Sequence, residues 1–231
     1  MGGRFGKYGD LKRRKALQRG HREKSRIERS RLTASRTRRD LLAHGQRASA
    51  RHSAKTYKTA VVAIPPDHLW EPIQRLRKQR DRQYRRWMPH ITLLYPFRPF
   101  TAFEQVTPLL AKACRFVEPF EVKLSRFDVL IHSRRQATIY LIPEPAAALK
   151  ELQKALLKIV PHCDDVTRFA GGFRPHLSVG QTSSQEAREL CTQLQAAWQP
   201  LAFTLPQVCL VWRNDPPDDV FRIGPELSLG E

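Results

Sequence analysis

Apolar and polar positions follow two different periods along residues 59–231, and the period changes at prolines and glycines. Short β-rich or alternating runs such as Ala60–Ile64 predict strands, and longer runs with apolar residues three or four apart predict helices. The predicted strands cover residues 60–64, 87–95, 120–130, 137–142, 173–179, 203–212 and 219–223, and the predicted helices cover residues 67–86, 102–117, 145–160 and 184–198.

Several of the predicted strands are joined by short turns rather than by helices. Such turns suit antiparallel pairing, whereas parallel strands need a longer crossover. We therefore predict an α+β fold of two lobes, with antiparallel or mixed sheets covered by helices. The apolar face of the second predicted helix carries Val106, Leu109, Leu110 and Ala113, and that of the third carries Leu149, Leu152, Leu156 and Ile159.

The positive charge of the chain is concentrated near its beginning. The formal net charge is +19, and residues 1–59 hold 19 Lys or Arg against 4 Asp or Glu. Large apolar residues are sparse there, so we predict residues 1–58 as a basic arm, disordered or partly helical between residues 11 and 42, and residues 59–231 as the folded domain. Clustered cations bind polyanions, so RNA or a ribonucleoprotein is the expected partner of the arm. A solvated tail carrying a nuclear or organellar address is the alternative.

The folded part is near neutral except for residues 74–86, which hold seven basic residues and one acidic residue. This stretch either follows a nucleic-acid backbone or forms a solvated helix face. Apolar runs are too short to cross a bilayer, and a secretory signal is not seen. We expect an intracellular protein without membrane contact, monomeric, whose nuclear, cytoplasmic or organellar location is undecided.

Four cysteines lie far apart in the sequence, which favours neither a disulfide framework nor a zinc knuckle. The run His162-Cys163-Asp164-Asp165 contains ligand-type residues, but adjacent side chains do not all point at one ion. A solvated loop is the better interpretation. We predict no metal and no cofactor.

One five-residue pattern occurs twice. Pro89-His90-Ile91-Thr92-Leu93 and Pro175-His176-Leu177-Ser178-Val179 share the order Pro, His, aliphatic, hydroxyl, aliphatic, and each follows a predicted helix. This repetition indicates an internal duplication. In a strand, residues i and i+2 lie on one face, roughly 6.5 Å apart. Histidine and hydroxyl are therefore expected to face a cleft, and the aliphatic residues the core.

Two such strands, related by an approximate two-fold axis, would bring two imidazoles and two hydroxyls to one volume. Displacement at phosphorus needs one group that accepts a proton and another, across the phosphate, that donates one. Histidine suits both roles, because its ordinary pKa is about 6.5. We predict His90 and His176 as the catalytic pair, with Thr92 and Ser178 binding the non-bridging oxygens.

Neighbouring residues give weaker predictions. Tyr95 either stacks on a base or belongs to the core. Arg174 shares the strand face of His176, and Arg98 follows the first motif. Either arginine could bind phosphate, and a surface arginine without that role is the alternative.

The two motifs resemble those of the two-histidine phosphoesterase superfamily, which includes RNA 2′,5′-ligase-like proteins and cyclic phosphodiesterases. The resemblance spans about residues 59–230, with Leu-Tyr-Pro-Phe after the first motif and Phe-Arg-Pro-His before the second. It implies a bilobal fold with a central cleft. It also implies metal-free attack on cyclic phosphates or on 2′,5′- or 3′-terminal phosphodiester bonds, mostly of RNA. The implied roles fall on His90, Thr92, His176 and Ser178, and the basic arm lies outside the family pattern.

The sequence thus predicts a phosphodiesterase that processes RNA ends or RNA-derived nucleotides. The alternative is a non-catalytic RNA- or ribonucleoprotein-binding protein that uses the basic arm.

Overall fold

The computed structural model describes residues 54–168 and 171–230. The predictions for the arm therefore fall outside the described residues, except at 54–58. These few residues already contribute to the fold, since the backbone of Thr56 pairs with that of Phe97 at 2.7 and 3.2 Å. They lie before Thr59, the first residue of the predicted domain.

The described residues form eight strands and four helices, most of which fall into two similar series. The strands are β1 (Thr59–Ala63), β2 (Ile91–Leu94), β3 (Phe120–Ser133), β4 (Gln136–Glu144), β5 (Leu177–Thr182), β6 (Leu201–Leu205), β7 (Gln207–Trp212) and β8 (Arg222–Ser228). The helices are α1 (Trp70–Arg80), α2 (Phe103–Cys114), α3 (Ala146–Ile159) and α4 (Ala187–Ala197), with short 3-10 turns at Asp67–Leu69, Phe100–Ala102 and Asp165–Thr167. No helix of the described part is long and apolar enough to cross a membrane.

Two four-stranded sheets have the orders β2-β1-β7-β8 and β5-β4-β3-β6, and all their strand pairs are antiparallel. The order strand, helix, strand, helix, strand occurs first from β1 to β3 and again from β4 to β6. In each series the second strand lies at the edge of its sheet and pairs with the first. The predicted α+β, bilobal and duplicated fold is confirmed.

The helices cover the sheets with narrower apolar stripes than predicted. Buried positions of α2 are Phe103, Val106, Leu110 and Cys114, which recur every three or four residues. Leu109 falls off this stripe and is 55% exposed, and Ile159, the last residue of α3, is also exposed. Both residues had been predicted on the apolar faces.

Element boundaries differ from prediction in several places. The helix expected over residues 67–86 ends at Arg80, because Asp81 adopts an extended backbone (φ −101°, ψ 110°) and its side chain accepts a hydrogen bond from the Gln83 amide at 2.8 Å. The strand expected over residues 203–212 divides at Pro206 into β6 and β7, which belong to different sheets. The closing strand starts at Arg222 and is longer than expected.

Candidate active site

The two histidine motifs occupy equivalent places in the two sheets. His90 and His176 lie one residue before β2 and β5, rather than inside the strands as predicted. The expected alternation is present: the aliphatic motif residues are at most 1% exposed, while the histidines and hydroxyls are half-buried. The aliphatic residues are Ile91, Leu93, Leu177 and Val179.

Both imidazoles are held in the same way. Nδ1 of His90 lies 2.8 Å from the carbonyl oxygen of Met88, and Nδ1 of His176 lies 2.8 Å from the carbonyl oxygen of Arg174. A carbonyl oxygen only accepts, so each Nδ1 carries the hydrogen and donates it. In the neutral ring, Nε2 then has a free lone pair and is able to accept a proton from a reacting group.

His90 is part of an aromatic stack. Its ring lies 4.3 Å from that of Trp87, nearly parallel, and Trp87 stacks at 3.5 Å on Phe221. Tyr95 contacts Trp87 edge-on at 5.7 Å. These packed surroundings disfavour the imidazolium and lower the pKa of His90 to about 4. The hydrogen bond to the Met88 carbonyl acts to raise the pKa, and the positive charge of Arg77 lowers it further.

His176 has a more polar neighbourhood. Its ring contacts Tyr140 edge-on at 5.5 Å, and the Tyr140 hydroxyl donates to Asp128 at 2.8 Å. Burial of Tyr140, followed by its bond to Asp128, raises the pKa of that phenol to about 12, so it remains protonated. Burial lowers the pKa of His176, and the Arg174 guanidinium lowers it further. The two histidines are therefore similarly held but differently surrounded.

The strands that carry the motifs meet. β2 contacts β5 across the two sheets. A proton on His176 lowers the pKa of His90, which places the two rings within coulombic range of each other. The duplicated motifs therefore lie on strands that contact each other across the two sheets.

A buried ion pair joins the two motif-bearing segments. Arg77 and Asp81, on α1 and just beyond it, are 2% and 3% exposed, and Arg77 Nε donates to Asp81 at 2.8 Å. The other Asp81 oxygen accepts from Gln181 of β5 at 3.2 Å. The basic stretch 74–86 is thus not a uniformly solvated face, because Arg77 is used inside the protein.

The helix α1 also approaches β5 closely through a glycine. A Cβ at Gly180 would lie 2.5 Å from the Cβ of Arg80 and 3.2 Å from its carbonyl carbon. No other residue type fits that contact without displacement of the helix. Gly180 and the ion pair together fix α1, and with it the segment leading to His90, against the second motif strand.

The weaker candidates have different positions. Tyr95 is half-buried beside Trp87, and its hydroxyl donates to the Tyr57 carbonyl at 3.2 Å. Arg174 is exposed, with its guanidinium close enough to Tyr140 and His176 to lower the pKa of both. Arg98 is half-buried near Cys163. Burial raises the pKa of the Cys163 thiol, and the Arg98 charge opposes this effect. Arg98 is not a surface arginine.

The segment His162–Asp165 is less solvated than predicted. Cys163 is fully buried, Asp164 accepts from Arg168 at 2.6 Å, and Asp165 pairs with Lys55. Within residues 54–168 and 171–230, no group of three or more His, Cys, Asp or Glu side chains is arranged to hold a metal ion.

Sequence reasoning did not identify Trp87, Tyr140 or the pair Arg77–Asp81 as parts of the site. Trp87 lies three residues before His90, and its position in the sequence was the available signal. Tyr140 lies opposite Ser178 in the β4–β5 pairing, which depends on a register that the sequence does not reveal.

Comparison with known proteins gives a consistent result. A profile of the 2′-5′ RNA ligase superfamily matches residues 65–217, which include both motifs. A Geobacillus kaustophilus protein with a provisional phosphoesterase name is 30% identical over 132 residues, 54% of this chain and 69% of that protein. TT0787 of Thermus thermophilus superposes with a TM-score of 0.50 at 18% identity, over 75% of this chain and 98% of that one. E. coli LigT, crystallised with 3′-AMP, gives 0.49 at 16% identity, over 77% and 100%.

Proposed function

The chain belongs to the 2′-5′ RNA ligase superfamily, and from this we propose that it is a metal-independent phosphodiesterase acting on RNA ends or RNA-derived nucleotides, with His90 and His176 as its acid–base pair. The resemblance to two-histidine phosphoesterases noted in the sequence is confirmed by that membership. The bond that is cleaved and the assignment of roles to residues are our proposal.

The observation that carries the proposal is the matched setting of the two rings. Each Nδ1 is occupied by a carbonyl two residues earlier, at the same 2.8 Å, so each neutral ring offers Nε2. One such ring in a protein is commonly structural. Two rings that both offer Nε2, from equivalent strands that contact each other, suit a base and an acid acting on one phosphate.

The reaction follows from this arrangement. One Nε2 takes the proton of an attacking water, whose oxygen forms a bond to phosphorus. The bond from phosphorus to the leaving ribose oxygen breaks, and the other histidine, protonated, supplies the proton that this oxygen needs. The products of a 2′,3′-cyclic phosphate are then a free hydroxyl and a terminal phosphate. Ligation would need a ribose hydroxyl of a second strand in place of the attacking water, and we favour hydrolysis because water is in excess.

We assign to the hydroxyls of Thr92 and Ser178 the stabilisation of the phosphate. Each lies two residues after its histidine and is half-buried on the same strand face. Neither hydroxyl bonds to another residue of the described ranges, so both can donate to non-bridging oxygens as charge builds there. Arg174, which acts electrostatically on His176, provides a positive charge for the same oxygens.

The two histidines reach the different protonation states that the reaction needs only when the substrate is bound. Burial lowers the pKa of both histidines, so the free protein holds two neutral rings near pH 7. A phosphate between them is an anion that raises both pKa values. One ring then takes up a proton on binding and serves as the acid, while the other remains the base.

RNA is favoured as the substrate class by the surroundings of His90. Tyr95 and His90 both contact the ring of Trp87, and Tyr95 is able to present an aromatic face to a nucleobase. Arg82 and Arg85 are exposed in the turn between α1 and the first motif, and they add positive charge to the segment that precedes His90.

A substrate screen tests the proposal. Purified protein is incubated, in excess chelator, with RNA oligomers that end in a 2′,3′-cyclic phosphate, contain a 2′,5′ linkage or consist of uridine with a free 3′ end. We expect turnover of at least one of them, at a rate that the chelator does not change. Absence of turnover on all three, or a requirement for added metal, contradicts the proposal.

A further inference from the structure

The aromatic surface beside His90 extends outward beyond Tyr95, to a ring that has no role in the reaction described above. Tyr57 is 63% exposed, and its ring meets that of Tyr95 edge-on at 5.5 Å. Tyr95 in turn contacts Trp87, the ring on which His90 is stacked. Three successive ring contacts therefore lead outward from the imidazole to a solvent-exposed tyrosine.

Two arginines lie next to these rings. The Arg213 guanidinium carbon is 5.6 Å from the centre of the Phe221 ring, which forms the far end of the His90 stack. Arg86 and Arg213 both lower the pKa of Tyr95, against the larger effect of its burial, so both guanidinium groups lie near that phenol. The surface thus combines exposed aromatic area with positive charge.

These arginines keep unused hydrogen-bonding capacity. The Nε atoms of Arg86 and Arg213 are buried without a hydrogen-bond partner among the described residues. Arg86 pairs with Asp219 through another nitrogen, and Asp215 pairs with Lys58 at 2.6 Å. Arg213 donates from Nη1 to the Asn214 carbonyl at 3.0 Å but forms no ion pair with a carboxylate of the described ranges, so its charge is not neutralised there.

The chain itself leads to this surface. Tyr57 follows directly on the strongly basic stretch of the sequence, and the described fold begins at residue 54. In the sequence, this surface therefore adjoins a stretch rich in Lys and Arg.

We propose that Tyr57, Tyr95 and Arg213 form a subsite for a second nucleotide of a single-stranded RNA, beside the one whose phosphate lies between the histidines. The base of that nucleotide stacks on Tyr57, and its phosphate faces Arg213. Rings stack on any base, and the arginine binds the backbone, so the subsite recognises a strand without reading its sequence. The proposal rests on the proposed function and specifies its substrate as an RNA chain rather than a mononucleotide.

The test compares substrates of two lengths. The value of kcat/KM is measured for a uridine 2′,3′-cyclic phosphate and for a ten-residue RNA with the same terminus, using the full chain. The quantity compared is kcat/KM for the long RNA divided by kcat/KM for the short substrate. We expect Tyr57→Ala and Arg213→Gln each to lower this ratio by at least ~fivefold. Phe116→Ala is the matched control, because Phe116 is 80% exposed and outside this cluster, and it should leave the ratio unchanged.

A ratio unchanged in both Tyr57→Ala and Arg213→Gln overturns the subsite while leaving the proposed function intact. A wild-type protein that turns over neither these two substrates nor the other RNAs of the screen overturns the proposed function instead. The subsite is then tested by photocrosslinking of a 4-thiouridine RNA to the full chain. If the subsite exists, the RNA should crosslink to the tryptic peptide Thr56–Lys58. Crosslinks confined to other peptides contradict the subsite.

Discussion

The carboxylate of Asp81, at the end of the segment before the first motif, accepts a hydrogen bond of 3.2 Å from the side chain of Gln181, three residues beyond Ser178 in the second motif strand. The same carboxylate is bonded to the buried guanidinium of Arg77 at 2.8 Å. A charged group that is almost inaccessible to water therefore joins the halves of the duplicated fold beside His90, whose pKa both charges influence.

Removal of the Asp81 charge should strongly destabilise the fold. In Asp81→Asn the shape is kept, but Arg77 becomes a buried charge without a counter-ion. We expect the free energy of unfolding to fall by roughly 3–5 kcal/mol, measured by urea denaturation. Glu71→Gln is the control, because the Glu71–Arg75 pair of the same helix is 69% and 67% exposed and should contribute under about 1 kcal/mol. Equal losses in the two variants would contradict the role given to the buried pair.

Gly180→Ala should separate α1 from β5. The added methyl group would meet Arg80 at 2.5 Å, and overpacking of this kind costs about 1–3 kcal/mol. The change also shifts the segment before His90 relative to the second motif, so turnover should fall by more than the unfolded fraction explains. The measurements are thermal unfolding and kcat/KM at a temperature at which the variant is fully folded. Gly224→Ala serves for comparison, since its Cβ would meet the Leu210 carbonyl at a milder 3.1 Å, away from both motifs.

Stability should depend on pH through His90. The folded protein holds the pKa of this residue at about 4, below the ordinary value of 6.5. As pH falls below about 6.5 the unfolded chain binds the proton first, so stability decreases until pH is near 4 and is unaffected above pH 7. Urea unfolding at pH 7.5 and 4.5 should show a loss about 2–3 kcal/mol larger in wild type than in His90→Gln. An identical loss in the two proteins would mean that the ring is not shielded as described.

Binding of an anion between the rings should take up a proton. Sulfate is a suitable probe, because it stays a dianion near pH 7 and any proton taken up must reside on the protein. Calorimetric titration in buffers of different ionisation enthalpy measures this uptake. We expect uptake in wild type and its loss in the double variant His90→Ala/His176→Ala. Uptake that persists in the double variant would assign the proton to other groups.

The sequence was sufficient for those parts of the site that depend on local pattern. The alternation in Ile91–Leu94 and Leu177–Thr182 fixes which side chains face the core, and the repeated motif reveals the duplication. Placement of the histidines just before the strands was not predicted, because the bond from each Nδ1 to a carbonyl two residues back is a turn feature without a sequence signature.

Features that depend on contacts between distant segments could not be predicted. The burial of Arg77 needs Asp81 and Gln181 in place, and an arginine in a basic run is normally expected at the surface. The division of residues 201–212 between two sheets depends on which partners each half finds, although Pro206 marks the point of division. Tyr140 reaches His176 only through the β4–β5 register.

The most direct test of the central claim is turnover by single histidine variants on the substrate found in the screen. His90→Ala and His176→Ala should each lower kcat by at least ~10²-fold with circular dichroism unchanged, and each should abolish one limb of a bell-shaped pH profile. His68→Ala, which removes an exposed histidine, should behave like wild type. If either motif variant keeps a rate within ~threefold of wild type, a difference under about 1 kcal/mol in the barrier, then the two imidazoles do not act together on one phosphate.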